Sequence, residues 1–265
     1  MPKFAANLSW LLQDLPMPRR LQAACDLGFE AVECRFPYEY AAKELAGFCD
    51  AAGLEFVMFN APPGDMQAGE YGISCLPGRK AEFEASIEAA LAYAATLRAQ
   101  FVHVLAGKVP PNELRERYVD VYVENLSWAC AACEREGVGV LIEPINTYEM
   151  PGYLTSLTAH AIETMALVDN PNLGIQYDFH NAQLMEGSIT KTLERHISSI
   201  RHMQIANVPG RLPPGSGELN FPYLFDLIDR LGYQGWVGCE YRPQGDHPAS
   251  TRESLFWGKK FGLGN

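Results

Sequence analysis

Two hydrophobic patterns alternate along the chain. Short, continuous apolar runs rich in β-branched residues read as buried parallel strands, and longer segments with apolar residues at spacings of three and four read as amphipathic helices. The clearest run, Val138-Gly-Val-Leu-Ile142, stops abruptly at Glu143-Pro144. Three later runs stop the same way, Asn172 to Asp178, Ile200 to Gln204 and Gly235 to Glu240, so four strands deliver Glu143, Asp178, Gln204 and Glu240. These residues lie 35, 26 and 36 positions apart, which is what one strand, one returning helix and their loops consume in a βαβ unit.

The alternation extends upstream. Strands are predicted over Lys3 to Leu8, Glu30 to Cys34, Leu54 to Asn60 and Gln100 to Leu105, with helices over Pro18 to Leu27, Ala41 to Ala52, Lys80 to Arg98 and from the Pro-rich Val109 to Asn112 loop to Glu136. The Lys80 helix sets Phe83, Ile87, Leu91, Ala94 and Leu97 on one face, and Gly28, Gly53 and Gly137 stand where helices should stop. Helices near Leu157 to Val168, Ile189 to His196 and Tyr223 to Leu231 separate the last strands. Leu27-Gly-Phe29 before Ala-Val-Glu33 is echoed by Leu231-Gly-Tyr233 before Trp236 to Glu240. Eight strands with intervening helices and no hairpin signal predict an α/β fold, a (β/α)8 TIM barrel spanning 1–265 as a single domain with a C-terminal tail from about 241. A doubly wound sheet would carry fewer strands and a Gly-rich turn after the first, and Asn7-Leu-Ser-Trp10 is no such turn.

Barrel closure gathers every strand C-terminus on one face, so Glu143, Asp178, Gln204 and Glu240 should surround one pocket. One strand-end carboxylate is commonly only a helix cap. Several in one pocket repel unless a cation neutralises them, and this set offers oxygen alone, which suits hard Mg2+ or Mn2+ better than zinc. Of the six histidines, His103 and His180 fall near the same face.

Composition narrows the partners. The formal charge of -11 repels nucleic acid and anionic membranes. No apolar run reaches the ~18 residues of a membrane span, and Met-Pro-Lys-Phe4 is no signal peptide, so a soluble cytoplasmic protein is expected. Seven scattered cysteines make no disulfide framework, and Cys130-x-x-Cys133 lies in an Ala-rich helix, where packing is expected rather than redox or zinc chemistry.

Six separated motifs carry a resemblance: Glu143-Pro-Ile-Asn146, Gln176-Tyr-Asp178, Met185-Glu-Gly187, Gln204-Ile-Ala206, Gly217-Glu-Leu-Asn220 and Gly238-Cys-Glu-Tyr241. Together with Phe4 to Ser9, Phe36-Pro-Tyr38, Pro63-Gly-Asp65, Ala68-Gly-Glu70 and Leu76-Pro-Gly-Arg79 they resemble the hydroxypyruvate isomerase family over nearly the whole chain. The resemblance implies a xylose-isomerase-like barrel holding a divalent metal on the four strand-end groups, with Glu143 and Glu240 as acid and base. It also implies interconversion of hydroxypyruvate and tartronate semialdehyde, an aldose-ketose type isomerisation in carbohydrate acid and glyoxylate metabolism. Relatives commonly carry histidine three residues after the strand-six aspartate. Here Asn181 stands there and His180 precedes it, so substrate contact and a purely local role are both open for this pair.

The chemistry itself requires a proton moved between adjacent carbons while charge builds on oxygen, which two opposed carboxylates and a metal can manage. An acid substrate also needs a cation, and Lys108 and Arg211 are placed to supply it, with Arg79 and Arg242 read as solvated surface charges. His103 is a further pocket residue. The alternatives are a four-carbon 2-oxo-tetronate isomerase or a related sugar-acid isomerase or epimerase, an abasic-site endonuclease on the same barrel, and a non-catalytic binding protein. A nuclease would need more histidines and a basic groove. The aromatic tail, Leu255-Phe-Trp257 and Phe261, is a packing surface for the barrel itself or for a second copy in a homo-oligomer.

Overall fold

The computed structural model describes residues 1–245, 247 and 249–264. Its strands are β1 (Lys3–Asn7), β2 (Ala31–Glu33), β3 (Glu55–Phe56), β4 (Met58–Asn60), β5 (Phe101–His103), β6 (Gly139–Ile142), β7 (Leu173–Asp178), β8 (Ile200–Ile205) and β9 (Trp236–Cys239). All pair in parallel in the order β3-β2-β1-β9-β8-β7-β6-β5-β4. The two ends of that order are one stretch of chain. Val57 alone separates β3 from β4, its N–H donating to Val32 O at 2.8 Å and its carbonyl accepting from Gln100 and Phe101 at 3.0 and 3.1 Å. The predicted single strand Leu54 to Asn60 is thus split at Val57, where it passes from its β2 partner to its β5 partner and closes the barrel.

The helices are α1 (Met17–Asp26), α2 (Ala42–Ala52), α3 (Lys80–Leu97), α4 (Arg115–Arg135), α5 (Thr158–Val168), α6 (Phe179–Met185), α7 (Ile189–His196), α8 (Phe221–Arg230) and α9 (Ser250–Ser254). They cover the outer face of the strands, which explains why the strands read as unbroken apolar runs. Cys130 and Cys133 are buried free thiols on α4, and burial pushes both up to about 12, so neither is a reactive thiolate.

Period-two alternation decides what fills the barrel. Ala5, Ala31, Met58, Leu141 and Trp236 form one buried cluster with Phe101 packed against it. Two residues further along those same strands come Asn7, Glu33, Asn60, Glu143, Gly238 and, on β5, His103, so an apolar plug gives way to a polar layer toward the C-terminal face. The chain after Glu240 folds back on its own barrel. Trp257 and Phe261 pack against Phe4 with centroids 5.1 and 4.9 Å apart, and Leu12 N donates to Thr251 Oγ1 at 2.9 Å. Trp257 and Phe261 are therefore spent on the barrel wall, while Phe256, next to Trp257 in the chain, stays exposed.

Sequence periodicity overlooks α6. It begins at the residue after Asp178, whose Oδ1 accepts from His180 N at 2.9 Å as its cap. Strand and helix share no linker, so no Gly, Pro or polar cluster announces the change.

Candidate active site

Three of the four strand-end groups converge closely. Ligand oxygens of Glu143, Asp178 and Glu240 lie within 4.8 Å of one another, and all three residues are buried. Glu143 follows β6, its Oε1 accepting from Asn181 Nδ2 and its Oε2 from Gln176 Nε2, both at 2.9 Å. Gln204 on β8 joins through the same amide, since Gln176 Nε2 also donates to Gln204 Oε1 at 2.7 Å.

Burial and mutual repulsion shape the protonation of this cluster. Burial first, then Glu240 and Asp178, push the Glu143 carboxyl well above the usual carboxylate range. Burial also raises Glu240, against the pull of Arg211, to about 7. Arg211 Nη1 bridges Asp178 Oδ2 at 3.1 Å and Glu240 Oε2 at 3.0 Å, and its Nε reaches Glu149 Oε2 at 3.3 Å. Burial opposes the charge on Arg211, but Asp178, Glu240 and Glu149 outweigh it and keep the guanidinium ionised. One guanidinium cannot balance the triad once all three carboxylates are ionised. The donor set, three carboxylates and the amide oxygen of Gln204, fits a hard divalent cation.

Beneath the cluster lies a fully buried polar network. Glu33 accepts from Asn7 Nδ2 at 2.7 Å, Gln204 Nε2 at 2.7 Å and His202 Nε2 at 2.6 Å. Holding the amide nitrogen of Gln204 on Glu33 turns its oxygen toward the acidic cluster, as an outer-shell partner orients a ligand. Gly238 makes the room, because a Cβ there would stand 2.3 Å from both Glu33 carboxylate oxygens. Gly238→Ala is expected to lower stability by about 1 to 3 kcal/mol and to weaken Mn2+ binding ~10-fold by disturbing Gln204. Urea unfolding and Mn2+ titration measure both, and an alanine variant with unchanged metal affinity would remove Glu33 from this role.

The predicted substrate residues separate into groups. Arg211, Asn181 and His103 line a cavity of ≈ 480 Å³ over the cluster. His103 Nδ1 lies 3.0 Å from Asn60 Oδ1 and its Nε2 3.8 Å from Glu143 Oε2. Burial, then His202, lowers His103 to about 3, so the ring is neutral. Donation from Nδ1 to Asn60 leaves Nε2 as a buried acceptor without a hydrogen-bond partner. His180 is buried and held by Asn207 O at 3.2 Å and Glu149 Oε1 at 3.4 Å, outside the cavity lining. Lys108 also lies outside it, with Nζ donating to Gly69 O at 2.9 Å on the exposed rim. Arg79 is engaged by Glu70 and Glu82. Arg242, read as a surface charge, lines the cavity, as do Arg35, Trp10 and Glu149, which sequence reasoning left out. Glu149 is held near 2 by its hydrogen bond to His180 and by Arg211.

The xylose isomerase-like TIM barrel family matches residues 21–261. A 2-oxo-tetronate isomerase of Cupriavidus necator is 46% identical, covering 98% of this chain and 99% of the relative. The hydroxypyruvate isomerase of Escherichia coli is 41% identical over 97% of this chain and 98% of its own. The chain belongs to the hydroxypyruvate and 2-oxo-tetronate isomerase family. A solved structure described as an AP endonuclease, family 2, from Brucella melitensis superposes on the isomerase with a TM-score of 0.95 at 38% identity, covering 98% of this chain and 99% of that one. No described helix of the isomerase is long and apolar enough to cross a membrane.

Proposed function

We propose that this isomerase interconverts 2-oxo-tetronate and its 3-oxo isomer with Mg2+ or Mn2+ held by Glu143, Asp178, Gln204 and Glu240. The observation that carries the chemistry is the buried pair Glu143 and Glu240 in one cluster, two carboxyls that can serve one substrate as base and acid. One glutamate takes the proton from C3 of the substrate and the other delivers a proton to C2. The hydroxyl proton passes from O3 to O2 and the carbonyl moves from C2 to C3, so no oxidant or co-substrate is consumed. A bound divalent cation supplies charge stabilisation for the substrate oxygens. In this reading His103 and Asn181, which line the cavity, hold substrate hydroxyls.

Hydroxypyruvate presents the same C2 carbonyl and C3 hydroxyl without the fourth carbon, and it is the second reading, favoured by the 41% identity to the Escherichia coli enzyme. The four-carbon reading is preferred on the 46% identity to the Cupriavidus necator enzyme, and the cavity of ≈ 480 Å³ has room for the added hydroxymethyl group. The nuclease reading draws no support from the site, since the charge of -11 opposes a phosphate backbone and the acidic cluster contains no histidine. A panel of three- and four-carbon oxo acids, assayed after metal removal and restoration, is expected to give a kcat/KM at least ~10-fold higher for 2-oxo-tetronate, the effect of roughly one added polar contact. A preference for hydroxypyruvate would install the three-carbon reading. No turnover of either acid with metal restored would overturn the proposal.

A further inference from the structure

Three arginines surround one indole at the cavity. The Cζ atoms of Arg35, Arg211 and Arg242 lie 5.5, 5.5 and 5.2 Å from the Trp10 ring centroid, a separation at which the ring face attracts each cation. Arg211 is fully engaged by Asp178, Glu240 and Glu149. Arg35 and Arg242 differ, because neither forms a direct ion pair with a carboxylate among the described residues, in a chain with 32 acidic side chains; Arg35 acts on Glu240 only through its field, which lowers that carboxyl. Arg35 is half-buried, its Nε is buried without a partner, and its Nη1 has only the Tyr71 hydroxyl at 3.4 Å. Trp10 Nε1 is likewise buried and unpaired. Both guanidinium groups line the cavity with donors that no protein carboxylate saturates, and the complement of such a set is an anion that only accepts.

Its position is fixed by backbone rather than by the side chain. Arg35 N donates to Ser9 Oγ at 2.8 Å and Arg35 O accepts from Asn60 N at 2.9 Å. Arg242 N donates to Arg211 O at 2.7 Å, tying the exposed Arg242 to the loop that carries Arg211. A half-buried guanidinium with no direct ion pair gains a charge-assisted partner when an anion docks.

We infer that Arg35 and Arg242, stacked on Trp10, form the subsite for the carboxylate of the acid substrate, while Arg211 is committed to the acidic cluster. Arg35 is the principal contact and Arg242 guards the entrance. This assignment rests on the acid-isomerase reading, and it moves the carboxylate away from Lys108, which faces the rim. It also gives a reason for the enzyme to prefer sugar acids to neutral ketoses, which would leave these donors unpaired.

The test uses the Mn2+-loaded enzyme and the variants Arg35→Gln, Arg35→Lys and Arg242→Gln. Arg35→Gln is expected to raise KM for 2-oxo-tetronate about 10- to 100-fold, the loss of a charge-assisted hydrogen bond, with kcat falling by much less. Arg242→Gln should have a smaller effect on KM, and Arg35→Lys should lie between wild type and Arg35→Gln. Mn2+ affinity should stay at the wild-type value in all three, which a general loss of structure would not allow. A second arm separates the subsite from the reaction: glycerate, which has the carboxylate and hydroxyls but no carbonyl to isomerise, is titrated calorimetrically beside neutral glycerol. Glycerate binding that weakens at least ~10-fold in Arg35→Gln supports the subsite even if wild type turns over neither oxo acid, in which case only the parent reading falls. Wild-type turnover with KM and glycerate affinity unchanged in Arg35→Gln and Arg242→Gln would overturn the subsite and leave the isomerase reading intact.

Discussion

Glutamine in place of Glu143 or Glu240 is expected to lower kcat by at least ~100-fold, the low end for a removed general acid or base, while metal binding weakens but remains measurable. Glutamine keeps one oxygen for the cation and cannot accept the proton. The two substitutions meet different surroundings. At 240, the amide oxygen can still accept from Arg211 Nη1, which holds Oε2 at 3.0 Å in the native chain. At 143, both carboxylate oxygens already accept from amides, Asn181 Nδ2 and Gln176 Nε2. A glutamine there faces one donor with another donor until a neighbouring amide turns, so Glu143→Gln should show the larger loss of metal affinity. Exchange in D2O then assigns the roles. The variant that retains the base for C3 should still wash deuterium into that carbon without completing isomerisation, and the other should exchange nothing. Near wild-type turnover in both variants, with metal bound, would reduce the four groups to a metal cage with its chemistry elsewhere.

Much of this site is legible in the chain because strand ends are legible. A parallel strand covered by helices must be apolar throughout, so a carboxylate at its last position stands out, and barrel topology forces such residues together. Glu143, Asp178 and Glu240 are such residues, and they converge. Glu33 carries the same signal more faintly, because the strand that it closes, Ala31–Glu33, is only 3 residues long. His202, two residues before Gln204, follows from the same alternation. Other residues leave no such trace. Glu149 reaches Arg211 from a loop six residues beyond Glu143, and loops have no period to read. Arg35 and Arg242 look like ordinary surface charges until the fold stacks them on Trp10. Lys108 errs in the opposite direction: it follows a strand as expected, yet its ammonium turns to Gly69 O. Position along a strand can be predicted from sequence, whereas the direction of a long side chain on a loop is decided by neighbours far away in the chain.

Metal removal is expected to abolish turnover, with Mg2+ or Mn2+ restoring it, and the metal-free protein should reveal the burden of its acidic cluster as pH rises. Glu240 sits near 7 and Glu143 is raised in the same direction, both above the 4.5 of an ordinary glutamate. A carboxyl raised in the folded state binds its proton more tightly there than in the unfolded chain. Its stabilising contribution is complete below the unfolded value and is lost as pH rises through the folded one. Two groups act in other ranges. His103, lowered to about 3 from 6.5, adds stability as pH climbs between those values, and Glu149, held near 2, loses its contribution only in strong acid. The window in which the glutamates act alone among these groups is therefore above about pH 6.5. There the metal-free protein should lose about 1 to 2 kcal/mol by pH 8, a few degrees of Tm. Binding a cation requires both carboxylates ionised, so metal affinity should tighten across the same window and the Tm gained from Mn2+ should be larger at pH 8 than at pH 6.5. Calorimetric scans with and without Mn2+ at the two pH values measure this directly. A metal-free Tm that rises from pH 6.5 to 8, together with full activity in excess chelator, would show that the cluster is not the metal site and that its charge is balanced by the protein alone.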